Sequence, residues 1–293
     1  MGMPLDLLLE AVLFGILLGG FYAAVSMGLS VSFGLLDVPN VAHPAIMVLG
    51  SYCTYVVVSK FGLDPIVAGL ALTPLFFILG MAIYRFYYEL FERRGGREAG
   101  VRGIAFFFGF ALIIEVGLIL VFGVDQRMVE AAYIGKSLEL GEMRIPLRMI
   151  VAFVTALVLT ALLALYLSKT FTGRAIKAVA QDEGALRLMG VNPVRIKQWA
   201  FGLATAVTAA AGAMLIVVGP VEPSLDRVYI GRTFCVVVLA GLGSMSGTLV
   251  AGLILGISES IVLTFFGASW APAVAFGLLL IVLGVRPQGL FGR

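Results

Sequence analysis

Two glutamates lie within apolar runs of the sequence, where a carboxylate persists only if the surrounding protein supports it. Glu115 falls near the middle of residues 104–123, and Glu259 lies past the middle of residues 247–265. Ionisable side chains inside membrane spans are costly and mark transport paths, proton relays or polar helix contacts. Each glutamate is therefore a candidate for lining a path through the membrane or for forming its gate. The alternative is a structural role, in which the acid faces the helix bundle and holds helices together.

A polar turn, DVPNVAHP at residues 37–44, contains the only histidine of the chain. Irregular backbone at membrane depth is tolerated chiefly where it is buried or lines a cavity. Asn40 and His43 are therefore candidates for the path or for a helix terminus. The alternative for His43 is a structural hydrogen-bonding role. Pro44 lacks an N–H and restricts His43 towards extended backbone.

The apolar region 233–265 is interrupted by GLGSMSG at residues 241–247. Glycine and serine at this density predict a break in a helix. We expect two helical pieces, either a full pair of spans or a re-entrant pair, with Gly243, Ser244 and Gly247 as candidates for a mobile break in the path. Elsewhere, small-xxx-small spacings such as Gly15 and Gly19 predict close packing of helices.

Seven of the 37 charged residues lie in GRAIKAVAQDEGALRLMGVNPVRIKQ, residues 173–198, between two apolar runs. Helical spacing predicts a short helix over residues 174–189, with Thr172 as its N-cap and Gly190 just past its end. Its expected apolar face consists of Ile176, Val179, Leu186 and Met189. Small apolar residues and mixed charges favour docking to a protein partner, and the alternative is a helix on the membrane surface.

The elements that carry these residues are predicted to be transmembrane helices. The 293 residues are 61% hydrophobic, and the mean hydropathy is +1.08. This composition indicates an all-α polytopic membrane protein rather than a soluble domain or a β-barrel. Hydropathy gives spans near residues 6–35, 44–59, 65–86, 104–123, 147–168, 196–219 and 269–285, and the broken region 233–265 raises the total to about eight.

The distribution of Lys and Arg predicts the orientation. Basic residues concentrate in the loops 85–102 and 169–197, which we place on the cytoplasmic side. The N-terminus is then outside and the C-terminus cytoplasmic, and residues 124–146 form an extracytoplasmic hairpin or loop. We expect one transmembrane domain over residues 1–293.

Several chemistries find no support in the sequence. There is no GxxxxGK[ST] phosphate loop, and Cys53 and Cys235 lack the spacing of a metal site or redox pair. A net charge of +3, spread over discrete loops, gives little support to nucleic-acid binding. We expect no catalytic site, no metal and no cofactor bound by this chain.

Three segments resemble permease subunits of branched-chain amino acid ABC transporters. GRAIKAVAQDEGALRLMGVN is similar to the cytoplasmic loop of that family, and VVVLAGLGSMSGTLVAGLILGISESI at 236–261 to its glycine-rich break followed by an acidic position, here Glu259. GGFYAAVSMGLSVSFGLLDVPNVAHPAIMVLGSY at 19–52 resembles its first span and N-x-x-H-G turn, with Pro44 in place of the glycine. The resemblance runs in order over nearly the whole chain.

The resemblance implies an inner-membrane subunit with the ABC importer permease fold. Its implied partners are a second homologous permease, two cytoplasmic ATP-binding subunits that bind ATP and Mg, and an extracytoplasmic substrate-binding protein. The family suggests that the second permease is a different chain. The loop would be the coupling helix that docks on an ATPase, and its implied docking residues are Gly173, Arg174, Ala178, Asp182, Glu183 and Gly190.

The same resemblance implies branched-chain or other small hydrophobic amino acids as substrates, with urea, short amides and aromatic acids as further possibilities within the family. One feature departs from the general loop of ABC importers, in which three residues separate Glu-Ala-Ala from glycine. Here four residues separate Glu183-Gly184-Ala185 from Gly190. The alternative functions are a proton-coupled secondary transporter that uses Glu115 or Glu259, and a channel-like facilitator.

Overall fold

The computed structural model describes residues 5–93, 99–140 and 143–292, and almost all of them belong to helices. The first half contains α1 (Leu5–Ser32), α2 (His43–Phe61), α3 (Pro65–Tyr87, continued by a π turn over Tyr88–Glu92) and α4 (Ala99–Phe122). A hairpin of β1 (Ser137–Leu140) and β2 (Met143–Pro146) follows. The second half contains α5 (Leu147–Lys169), α6 (Phe171–Val179), α7 (Glu183–Leu188), α8 (Pro193–Val218), α9 (Asp226–Ala240), α10 (Met245–Phe266) and α11 (Ala271–Val285).

Eight of the described helical segments are long and apolar enough to cross a membrane, which agrees with the expected number. The chain is therefore a multi-pass membrane protein. α9 has only 15 residues and lies outside this set. The hairpin predicted as one alternative for residues 124–146 is present, and its strands are antiparallel. We call the end of the bundle with this hairpin the hairpin end, and the opposite end, with α6 and α7, the loop end.

α8 forms the centre of the bundle. Nearly every residue from Ala200 to Val217 is buried, and the helix packs against α1, α2, α3 and α5. Small residues permit these contacts, since a Cβ atom added at Gly202 would lie 2.8 Å from the carbonyl oxygen of Phe77. In lipid the hydrophobic effect does not drive helices together, so close van der Waals packing of their backbones stabilises the contact instead.

Among the described helices, α1 and α10 share the most extensive contact. They run antiparallel, since Gly19 lies beside Leu253 and Gly15 beside Ile257. A Cβ atom at Gly19 would lie 2.6 Å from the Cα atom of Leu253. The Ser260 hydroxyl also donates to the carbonyl oxygen of Ala11 at 2.7 Å. The predicted role of the small-residue spacings in close packing is confirmed.

The region 233–265 forms two helices, as expected, and the break lies at residues 241–244. Gly241 and Gly243 have φ values of +88° and +80°, which glycine adopts without strain. The Ser244 hydroxyl accepts a hydrogen bond from the N–H of Gly247 at 3.1 Å and so caps α10. Near the C-terminus, Leu290 N–H donates to the carbonyl oxygen of Leu239 at 2.8 Å, which satisfies one of the free carbonyls at the end of α9.

The first of these two helices begins earlier than predicted, at residue 226 instead of 233. Asp226, Arg227 and Arg232 lower the hydropathy of its first two turns, so hydropathy alone does not predict that the helix begins there. The two arginines are accommodated because each pairs with a glutamate on another helix, Arg227 with Glu115 and Arg232 with Glu259.

The loop of residues 169–197 contains two short helices, so the prediction of one helix over 174–189 is wrong. α6 ends at Val179, and Asp182 caps α7 by accepting a hydrogen bond from Ala185 N–H at 3.0 Å. The N-cap of α6 is Thr170 rather than Thr172, and its hydroxyl accepts from Gly173 N–H at 3.0 Å. Thr172 instead shares a 2.7 Å hydrogen bond with the hydroxyl of Tyr166.

Candidate functional site

The polar turn before α2 lies deep in the bundle. His43 is buried, and its Nε2 lies 2.7 Å from the carbonyl oxygen of Val25 on α1. Val25 is seven residues before the end of α1, which corresponds to roughly 10 Å along the helix axis. α2 therefore begins inside the bundle rather than at its loop end, which is irregular backbone at membrane depth.

The histidine ring joins three helices. Its Nδ1 lies 3.1 Å from the Oγ1 atom of Thr208 on the central helix α8. Gly28 makes room for this contact, because a Cβ atom there would lie 2.8 Å from the His43 Cε1 atom. This geometry fits the structural hydrogen-bonding role. Asn40 is also buried, and its Oδ1 atom has no hydrogen-bond partner within the described part of the chain. A role of either residue in the path stays a prediction.

Glu259 lies in a closed pair with Arg232 of α9. The Arg232 Nε atom donates to both carboxylate oxygens, at 3.0 and 3.2 Å, and its Nη2 atom donates to Oε1. The Glu259 side chain is 2% exposed and the Arg232 side chain 14%. The guanidinium also lies over the rings of Tyr22 and Tyr229, 5.7 and 5.5 Å from their centroids. Cation–π contacts of a desolvated guanidinium add to its ion pair.

Glu115 lies in an open pair with Arg227, at the start of α9. Its Oε1 atom accepts a hydrogen bond of 2.7 Å from Arg227 Nη2. The glutamate side chain is 6% exposed, whereas the arginine side chain is 69% exposed. The structure thus gives both intramembrane glutamates an arginine partner but places them in separate environments. It does not bring them together in one relay.

The glycine-rich break lies apart from both pairs. Gly243 packs against Gly34, just past the end of α1, and Gly247 lies beside Ala240 and the Ser244 cap. The three predicted residues Gly243, Ser244 and Gly247 thus form a capped turn at the loop end. A gating movement of this turn stays a prediction.

The residues predicted to couple to an ATPase divide into an inner and an outer set. Gly173 is buried, and a Cβ atom there would lie 2.5 Å from the Cα atom of Leu167, so the glycine lets α6 fold back on α5. Ala178 is partly buried. Arg174, Asp182 and Gly190 are exposed. Gly190 has a φ of +77° and ends α7, as expected from its position.

Glu183 binds inward rather than outward. Its Oε1 atom lies 2.7 Å from Lys197 Nζ, and the same ammonium lies 2.7 Å from Glu92 Oε1. The other oxygen of Glu92 accepts a 2.9 Å hydrogen bond from the hydroxyl of Tyr84. This Lys197 network joins α7 to the end of α3 and to the first turns of α8.

The apolar face of the loop also differs from the expectation. Ile176, Val179 and Leu186 are buried, as predicted, but Met189 is 78% exposed. Leu188 is 91% exposed beside it. The turn between α6 and α7 rotates the second helix, so that residues 188–190 form an exposed apolar tip.

The partners of these candidate residues, namely Arg227, Arg232, Thr208 and Lys197, were not among the residues predicted from the sequence. A usable signal for the arginines was present. A buried carboxylate requires a paired cation. Between residues 198 and 285 the chain has only two basic residues, Arg227 and Arg232, and both directly precede an apolar run.

Comparison with known proteins agrees with this architecture. The family model described as "Branched-chain amino acid transport system / permease component" matches residues 11–283. The high-affinity branched-chain amino acid transport system permease protein BraD of Pseudomonas aeruginosa is 27% identical over 97% of this chain and 96% of its own. The LivH permease protein of the corresponding system in Escherichia coli is also 27% identical, with the same coverage.

A second permease from the same kind of system matches only part of the chain. The permease protein LivM of Escherichia coli is 30% identical over 148 residues, which are 49% of this chain and 34% of LivM. The family model, in contrast, covers the chain from the second turn of α1 to the last turn of α11. The chain belongs to the family of permease components of branched-chain amino acid transport systems.

Proposed function

We propose that this chain is a permease subunit of an ATP-driven importer for branched-chain or other small hydrophobic amino acids in the bacterial inner membrane. The similarity to BraD and LivH over 97% of the chain supports the substrate class. Two cytoplasmic ATPases would drive transport, and an extracytoplasmic binding protein would deliver the substrate. The partial similarity to LivM supports a second, different permease as the partner.

The observation that carries the proposal is the exposed tip of the loop, residues 188–190, on a rigid support. Leu188 and Met189 present apolar surface beside the exposed charges of Arg174, Asp182 and Arg187. A small apolar anchor with a polar rim is the usual composition of a protein docking site. The loop would therefore dock on an ATPase at the cytoplasmic side, as the concentration of basic residues also favours.

The Lys197 network gives this docking surface a mechanical connection. Lys197 lies in the first turns of α8, the central helix, and holds α7 through Glu183. It also holds the end of α3 through Glu92. A force applied by the ATPase at residues 188–190 would pass through α7 to α3 and α8 without first bending a flexible loop. This connection is how ATP-driven closure would move the spans of the permease.

A proton-coupled transporter has less support. A proton relay needs a carboxylate that is free to exchange a proton, whereas Glu115 and Glu259 each accept hydrogen bonds from an arginine guanidinium. Such charge-assisted pairs suit lasting electrostatic contacts.

The proposal is tested by co-expressing the chain with its neighbouring transport genes and measuring leucine uptake into proteoliposomes. We expect a tagged permease to co-purify with two ATPases. We also expect uptake to require ATP on the side of the membrane where the ATPases lie. Uptake that survives without ATP and collapses with the proton gradient would refute it. Leu188→Ser with Met189→Ser should abolish co-purification of the ATPases, whereas Leu63→Ser, in an exposed turn at the hairpin end, should have no effect.

A further inference from the structure

A cavity of about 460 Å³ lies between the start of α2, the second half of α4 and the start of α9. Its polar lining consists of Glu115, Asp226 and Arg227. The apolar lining includes Phe108, Leu112 and Ile230. Pockets that bind small molecules have this size and combine an apolar lining with a few convergent polar groups.

The three charges of the cavity do not balance one another. Arg227 pairs with Glu115 at 2.7 Å. Asp226 is a second carboxylate, and its Oδ1 atom is buried without a hydrogen-bond partner among the described residues. The described lining thus contains two carboxylates and one arginine. This excess of negative charge favours one additional cationic group beside Asp226.

Only some of the hydrogen-bond donors of Arg227 are paired with Glu115. Glu115 accepts from its Nη2 atom, while 69% of the arginine side chain remains exposed. A guanidinium has five N–H donors and binds carboxylates in a two-pronged geometry. Val41 and Pro44, at the start of α2, line the same cavity and add apolar surface to it.

The cavity lies within the depth of the bilayer rather than at its surface. Glu115 is seven residues before Phe122, the last residue of α4, so it lies roughly 10 Å along the axis from the hairpin end of that helix. An arginine exposed to hydrocarbon is costly. An open side that faces a water-filled path or a polar partner surface in the assembled transporter suits the 69% exposed Arg227.

We propose that this cavity binds the α-amino acid head group of the transported substrate, an inference that rests on the proposed function. Arg227 binds the substrate carboxylate, and Asp226 accepts a hydrogen bond from the α-ammonium group. The aliphatic side chain of the substrate packs on Phe108, Leu112 and Ile230. Glu115 is a positioning residue that orients Arg227. This chemistry selects zwitterions over urea, simple amides and monocarboxylic acids, which lack one or both charges.

The test uses photo-leucine, a diazirine analogue of leucine, with the complete co-expressed complex in nanodiscs without its binding protein. We expect photolabelled peptides from residues 105–115 or 226–232, and we expect leucine to compete for labelling while isoamylamine and 4-methylpentanoate do not. Asp226→Asn and Arg227→Gln should each weaken labelling by about tenfold or more, the loss that follows from one charge-assisted contact. Lys60→Gln, an exposed change at the end of α2, is the matched control and should label as the unmodified protein does.

A second readout separates a binding role from a structural one. Leucinamide has a neutral amide in place of the carboxylate, so it should compete for labelling of the unmodified complex less well than leucine does. In Arg227→Gln the two compounds should compete equally, even if the total labelling is weak. Equal labelling of all variants, or labelling only elsewhere, in a complex that still imports leucine with ATP would overturn the site and leave the proposed function intact. A complex with no ATP-driven leucine import would overturn the proposed function instead.

Discussion

Two arginine–glutamate pairs connect α9 to its neighbours, and they differ in the exposure of their side chains. In the closed pair, Glu259 and Arg232 are 2% and 14% exposed, and two tyrosine rings cover the guanidinium. In the open pair, Glu115 is buried but Arg227 is 69% exposed in a cavity with a further carboxylate. The same two residue types thus occupy one sealed and one accessible environment.

The difference teaches that a charge inside a membrane protein is not by itself a transport site. The closed pair satisfies its own hydrogen bonds and joins α9 to α10, next to α1. Breaking such a pair leaves an uncompensated buried charge. The open pair retains unused donors and an unpartnered carboxylate, so a ligand can complete it.

The largest effect is expected from opening the closed pair. Arg232→Gln leaves the Glu259 carboxylate without its cation and should destabilise the fold by about 3–5 kcal/mol. The thermal unfolding midpoint should fall on the order of 10 °C. Exposure of the buried Cys235 thiol to a maleimide dye on heating, in a Cys53→Ser background, measures this midpoint.

The double variant Arg232→Met with Glu259→Leu removes both charges and should recover most of that loss, because apolar replacement of a buried pair is often neutral. Recovery of stability together with uptake would establish a structural role for the closed pair. A stable double variant that cannot transport would instead assign the pair to the path.

A smaller effect is expected at His43, which joins α1 to α8 without an ion pair. His43→Leu removes the contacts to Val25 and Thr208 and should cost about 1–3 kcal/mol, the penalty for buried groups that lose their partners. The same thiol-exposure measurement applies. An unchanged thermal unfolding midpoint together with reduced uptake would contradict the structural role and indicate that His43 acts in the translocation path.

The Lys197 network should contribute about 1 kcal/mol to global stability, because Glu92 and Glu183 keep access to water when the cation is lost. Lys197→Met should nevertheless uncouple transport, with ATP hydrolysis retained and leucine uptake reduced. The ratio of transported leucine to hydrolysed ATP in proteoliposomes measures coupling. Lys169→Met, an exposed lysine at the end of α5, serves as the control, and an equal ratio in both variants would contradict the mechanical connection.

The smallest stability change is expected in the open pair. Arg227→Gln should cost about 1 kcal/mol or less, because the arginine side chain is 69% exposed and the glutamine amide can still donate a hydrogen bond to the Glu115 carboxylate. The unfolding midpoint should stay within a few degrees of the unmodified protein. A loss as large as that of Arg232→Gln would remove the distinction between the two pairs.

The sequence predicted most of the fold because apolar runs and small-residue spacings are local signals. The spans at 65–86, 147–168 and 269–285 agree with α3, α5 and α11 to within two residues at each end. Two predictions failed for different reasons. Pairs with distant glutamates accommodate the arginines that extend α9 to residue 226, whereas a local cap by Asp182 divides the loop of residues 169–197 into α6 and α7.

The sequence by itself determined that this is a polytopic helical permease, because hydropathy, loop charges and the family segments are properties of residue order. It also identified Glu115, Glu259 and His43 as unusual. Only the tertiary structure decided their environments, since each partner lies on a distant helix: Arg227, Arg232 and Thr208 are 112, 27 and 165 residues away, respectively. Whether a buried charge is sealed or open depends on which helices pack around it, and that packing joins residues that no local pattern connects.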